Sequence, residues 1–150
     1  MRIQSKIFLT ISTIIVLSSC NKAVPNFDKE NAFRYLVKQC EFGPRNPYSN
    51  GYQQCLVYLQ KTLAGFADTV LLQPFVLDDL VDEKSYDLTN IIARFKVDAP
   101  EQLLIGAHWD TRPWADEDPV PEKRNDPIIG ANDGASGVAV ILELARILNA

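Results

Sequence analysis

The 150 residues contain no apolar run long enough to cross a bilayer as a helix, which takes about 20 residues. The longest such run, Ile7 to Leu17, falls well short. A basic excess is missing too: 15 Lys and Arg stand against 19 Asp and Glu, a net charge of −4. Nucleic acid is therefore not a partner, since binding it needs clustered cations to neutralise phosphates. Cysteines are few, three in all, and there is one histidine. No second cysteine pair or nearby histidine completes a tetrahedral zinc set around Cys40 and Cys55. Phosphate loops and dinucleotide fingerprints are absent. Ser136 is not in a nucleophile elbow, because Val138 stands where that turn requires glycine.

What is present begins with an export signal. Arg2 and Lys6 precede the apolar run, the layout of a secretion signal. Leu17-Ser18-Ser19-Cys20 then resembles a bacterial lipobox, in which the cysteine is acylated and becomes the first mature residue. Residues 1–19 are thus expected to be a lipoprotein signal peptide, and residues 20–27 a tether lipidated at Cys20. Their removal takes away Arg2 and Lys6 and leaves the mature chain more acidic. By resemblance to sorting in Gram-negative lipoproteins, Asn21 rather than Asp favours the outer membrane, with Cys20 as the membrane contact. An exported compartment permits a disulfide between Cys40 and Cys55, and two separately buried thiols are the alternative.

The mature part is enough for one domain. Asp28 is placed to cap a helix running to about Gln39, with Ala32, Phe33, Leu36 and Val37 on its apolar face. Phe42 to Gly51 is a loop by its prolines and glycines. A second helix follows with Cys55, Leu56, Leu59 and Leu63 on one face and Gly65 as its C-terminal cap. Thr69 to Leu77 reads as an edge or broken strand because of Pro74, and Asp87 to Val97 as a strand rich in β-branched residues. Gln102 to His108 is so apolar that it predicts a strand buried on both faces. After a polar excursion over residues 109–127, a helix over Asp133 to Asn149 presents Gly137, Ile141, Leu144, Ala145 and Leu148 at helical spacing. Strands followed by a helix that crosses back argue for a three-layer α/β domain, and the small number of strands for a truncated one.

The chemistry gathers at two places. His108 and Asp110, two apart at the end of the apolar strand, project to one side, so the carboxylate is placed to receive a ring N–H and turn the other ring nitrogen toward a metal. Asp133 lies among small residues (GANDGASG) at the entry to the last helix, near His108, and carboxylate with imidazole suits zinc. The competing role for Asn132 or Asp133 is to cap that helix. Trp109, Arg112 and Trp114 sit between the two elements, where they line a substrate entrance or pack beneath a solvated loop.

Gly106-Ala107-His108-Trp109-Asp110, followed by the run from Pro127 to Leu148, resembles the superfamily of zinc aminopeptidases and glutaminyl-peptide cyclotransferases. The similarity extends upstream through Phe42 to Gln60 and Asp87 to Phe95. It implies a three-layer α/β/α domain with a mixed central sheet, of which residues 28–150 form the N-terminal, incomplete part. It also implies one or two zinc ions and peptide or protein N-termini as substrates. In the family, the aspartate matching Asp133 is a zinc ligand in both branches, and the histidine matching His108 binds the second zinc of the aminopeptidases. In one-zinc cyclases that histidine need not ligate, and the aspartate matching Asp110 steadies it. Cyclisation of N-terminal glutamine is the preferred activity, with hydrolysis of the first peptide bond and non-catalytic peptide binding as alternatives. The family's downstream acidic pair and late histidine have no counterpart here, so these 150 residues alone are expected to be inactive.

Overall fold

The first helix is fixed at its start by a side chain. In the computed structural model, which describes residues 25–79 and 83–149, the Asp28 carboxylate accepts the Asn31 N–H at 3.0 Å and caps α1 (Lys29–Glu41). Cys20 and the signal segment lie outside the described residues. Ser49 does the same for α2 (Asn50–Ala64), its hydroxyl accepting the Tyr52 N–H at 3.0 Å. The buried stripe of α1 differs from the expected one. Ala32 and Gln39 face inward, while Phe33 and Val37 are exposed, because α1 packs on α3 (Ser136–Leu148) rather than on the sheet.

β1 (Thr69–Asp79) and β2 (Lys84–Arg94) form an antiparallel hairpin, and β2 starts and ends three residues before the strand predicted over Asp87 to Val97. Pro74 does not break β1, and the register explains why. It pairs with Thr89, whose N–H and C=O point away from β1, to the Tyr52 hydroxyl at 2.9 Å and from the Trp109 indole at 3.1 Å. Pro74 thus occupies a position where no N–H is owed to the ladder. The same outer edge of β2 is held by Tyr48, whose hydroxyl accepts the Asp87 N–H at 2.9 Å and donates to Ser85 O at 3.2 Å.

One face of the hairpin packs on the helices. Val70, Ile91 and Ala93 meet a core of Cys55, Leu59 and Leu63 from α2 and Val138, Leu142 and Ala145 from α3. The other face carries Leu71, Phe75 and Leu77, all exposed, and no helix covers it among the described residues. Cys40 and Cys55 are free thiols and no disulfide joins them; burial in the core pushes Cys55 up to about 11. The fold is α/β, as the sequence pattern implies, with a helical layer on a two-stranded antiparallel sheet among the described residues.

The predicted doubly buried strand over Gln102–His108 is extended but unpaired among the described residues. Leu103 and Leu104 are 86% and 92% exposed. Its apolar character calls for neighbours on both sides, and a recess of about 420 Å³ separates it from β2 instead. On the helix side, Ile141, Leu144 and Leu148 look across a second recess at the same segment. Ile141, Leu144 and Leu148 thus line an open space, while Ala145 is buried in the core as the pattern predicts.

Glu143 fastens the two ends of the helical layer. It is fully buried in α3 and accepts from Asp28 N at 2.9 Å, Asn31 Nδ2 at 2.7 Å and the Arg146 guanidinium at 2.6 and 2.9 Å. The Arg146 hydrogen bonds, then those from Asn31 and Asp28, outweigh burial and hold its carboxyl at about 2 instead of 4.5. A carboxyl lowered on folding stabilises fully above its unfolded value, and that stability is lost as pH falls toward the folded one. Urea unfolding of the wild type should therefore weaken between about pH 4.5 and pH 2. Glu143→Gln should be less stable at pH 7 and lose less over that window; parallel curves for the two proteins would assign acid sensitivity elsewhere.

Candidate functional site

His108 and Asp110 leave the extended segment on one side and Trp109 on the other. Trp109 stacks on Tyr52, ring centroids 4.2 Å apart, and anchors through its indole N–H to Thr89 O. With the strand end pinned from below, His108 turns outward and its Nε2 lies 2.9 Å from Asp133 Oδ1. Its Nδ1 faces Asp110, 3.2 Å from the main-chain carbonyl and 3.5 Å from Oδ1. The Asp110 carbonyl thus lies nearer the ring than the carboxylate that the sequence places there.

Both ring nitrogens thus face an acceptor: with the proton on Nε2 the ring donates to Asp133 Oδ1, and with it on Nδ1 the ring donates to Asp110 O and turns the Nε2 lone pair toward the Asp133 carboxylate, the tautomer that suits metal ligation. Imidazole nitrogen and carboxylate oxygen are a zinc-type donor pair, and the oriented ring is the usual support for one. Among the described residues no set of three or more His, Cys, Asp or Glu converges.

Asp133 reaches this position because it is not helical. Helix α3 begins at Ser136, three residues later than the pattern suggests, and no side chain caps it. Asp133 (φ −89°, ψ 102°) and Gly134 (φ 94°, ψ −62°) form a kink that points the carboxylate at His108, so the capping role is overturned. A side chain on Gly134 would meet His108 Cε1 at 3.0 Å and Asp110 O at 3.2 Å.

The two segments that carry these groups are tied by Arg45, which the sequence pattern leaves as an unremarkable loop residue. Its side chain is fully buried. Nε donates to Trp109 O at 3.0 Å, Nη1 to Ile129 O at 2.9 Å and Gln39 O at 3.3 Å, and Nη2 to Gly130 O at 3.1 Å. Its own N–H donates to the buried Thr111 hydroxyl at 2.8 Å, and the Thr111 N–H returns to Arg45 O at 3.3 Å. Nothing in an Arg between two prolines signals burial, since Arg is rarely fully buried.

Arg112 and Trp114 border a recess of about 350 Å³ that also reaches Asp110, Thr111 and Tyr86. Arg112 is paired with Asp116 across one turn of chain. Asp118 is used locally, accepting Val120 N at 2.8 Å, so the acidic run is not a converging cation site.

Gly134→Ala tests the kink. The strained backbone costs about 1–3 kcal/mol with a side chain present, and the methyl group presses directly on the His108 ring. Urea unfolding should show a loss of that order, and a crystal structure should show His108 moved off Asp133. Wild-type stability with an unmoved ring would mean that glycine is dispensable there.

The sequence profile of peptidase family M28 matches residues 90–150. Among solved structures, this chain is similar to a leucine aminopeptidase precursor from Bacteroides thetaiotaomicron, at 41% identity and TM-score 0.81, over 84% of this chain and 43% of that one. The same figures hold for a Bacteroides thetaiotaomicron glutaminyl cyclase bound to N-acetylhistamine. A Zn-dependent exopeptidase from Parabacteroides distasonis follows at 40% and TM-score 0.80, over 83% of this chain and 42% of that one. The chain thus spans less than half the length of these solved relatives. With the fold and the sequence likeness in agreement, the chain belongs to the superfamily of zinc exopeptidases and glutaminyl cyclases, and its residues 90–150 carry the M28 profile.

Proposed function

We propose that the protein, at the length of its relatives, is a zinc-dependent glutaminyl cyclase acting on peptide N-termini. The observation that carries this reading is the oriented His108 facing Asp133, in a chain whose likeness to a glutaminyl cyclase extends over 84% of its length, well ahead of the profile match. Bound zinc supplies a Lewis acid for the carbonyl oxygen of the substrate. Asp133 and His108 are the residues of this chain that would hold it, and Asp110 keeps the His108 ring turned toward it. In the reaction, the free amine of an N-terminal glutamine attacks its own side-chain amide carbon and the C–N bond to ammonia breaks. The amine proton leaves with that nitrogen. The recess beside Asp110, bordered by Arg112 and Trp114, is the entrance we assign to the peptide, while Trp109 lies outside that recess and is stacked on Tyr52.

The likeness to a leucine aminopeptidase precursor, at equal identity, favours a second reading in which water attacks the first peptide bond. A glutamine-initiated and a leucine-initiated peptide separate the two. Ammonia release with an otherwise intact peptide is expected, and Asp133→Ala should abolish it together with bound zinc. Free leucine without ammonia would establish the peptidase instead. Residues 20–150 alone are expected to be silent with both peptides, since two donors fall short of the three protein ligands usual at catalytic zinc.

We also propose anchoring in the cell envelope, at the outer membrane, through acylated Cys20, supported by the lipobox-like Leu17-Ser18-Ser19-Cys20. Growth with a radioactive fatty acid should label the wild type and leave Cys20→Ala unlabelled; equal labelling of both would remove the anchor.

A further inference from the structure

Each half of the donor pair is fixed from the same point. The guanidinium of Arg45 holds the carbonyl of Trp109, the residue next to His108, and the carbonyls of Ile129 and Gly130, which lead into the Asp133 kink. Gly130 itself is left-handed (φ 60°), and a side chain there would come within 2.5 Å of Thr111 and 3.3 Å of Arg45 Nη2, so the three residues are packed without slack. The guanidinium's hydrogen bonds all go to carbonyl oxygens. A planar fork with five fixed donors can serve several carbonyls in divergent directions, which a lysine ammonium on a flexible stem cannot reproduce.

We propose that Arg45 is a positioning residue that sets the separation of His108 and Asp133, and through it the affinity of the pair for a divalent metal ion. The metal half of this statement rests on the zinc-dependent reading above; the positional half does not. Arg45 touches neither substrate nor metal donors. It acts through two backbone segments, and its removal frees the Trp109 and Ile129 carbonyls and leaves Gly130 O only its bond from the Ala135 N–H.

The test uses the full-length gene product and Arg45→Lys, which keeps the charge and loses the fork. Two readouts are taken below the melting transition, where circular dichroism shows the variant folded. The first is metal-free: the ring ¹⁵N resonances of His108 at fixed pH, assigned by difference from His108→Gln. They should shift as the Nε2 contact to Asp133 loosens. The second is zinc affinity by competition with a chelator, which should weaken by about 10–100-fold, the usual effect of losing a group that orients a ligand. A purely structural role would lower the melting temperature and leave both readouts in place, and that result overturns the proposal. If the wild type binds no zinc, the metal reading fails and the His108 resonances alone decide the position. Should Arg45→Lys not fold, Thr111→Val, which removes the hydroxyl that receives the Arg45 N–H, is judged by the same readouts: unmoved resonances and zinc affinity in that folded variant likewise overturn the proposal.

Discussion

A cation removed from water must be repaid in full by the groups around it, and Arg45 is repaid entirely by backbone. Leaving such a charge uncompensated costs several kcal/mol, so the carbonyls of Gln39, Trp109, Ile129 and Gly130 are not free to choose other arrangements. Three stretches of chain are thereby obliged to meet: the end of α1, the end of the extended segment and the approach to α3. The loop between α1 and α2 reaches inward because its arginine does. Once these stretches converge, the positions of His108, Asp110 and Asp133 follow with little freedom left.

The site built on that convergence sets the His108 ring between two acceptors, the Asp110 carbonyl at Nδ1 and the Asp133 carboxylate at Nε2. The backbone bears the expense. Asp133 gives up helical geometry, glycine is used at the left-handed turn before it and the strained position after it, and α3 starts without a side-chain cap.

Much of this was legible in the sequence, and the remainder was hidden for identifiable reasons. Caps at Asp28 and the helical face of Cys55, Leu59 and Leu63 depend on neighbours a few residues away, and periodicity reads them well. The period-two projection of His108 and Asp110 is equally local. The face of α1 was misjudged because it packs on α3, more than a hundred residues on, through Ala32 and a buried glutamine rather than through Phe33 and Val37. The start of α3 was placed too early because glycine and aspartate in GANDGASG fit a capped helix as well as a kink. Gln102 to His108 has the composition of a central strand and is exposed in these residues, since composition reports what a segment needs and not what is beside it. Arg45 gave no signal at all.

The sequence separations of the bonds around the site have a consequence for the order of folding. Asp133 and His108 are 25 residues apart, but Arg45 lies 64 from Trp109 and 85 from Gly130, and Asp28 bonds Glu143 across 115. Helices and a hairpin form in microseconds from local contacts, whereas closures over such distances carry the entropy of long loops and come later. The donor pair therefore comes into being only with the last closures. A chain emerging in N-to-C order therefore holds His108 and Asp133 as unrelated side chains while it is being made, and their meeting is deferred to the finished fold.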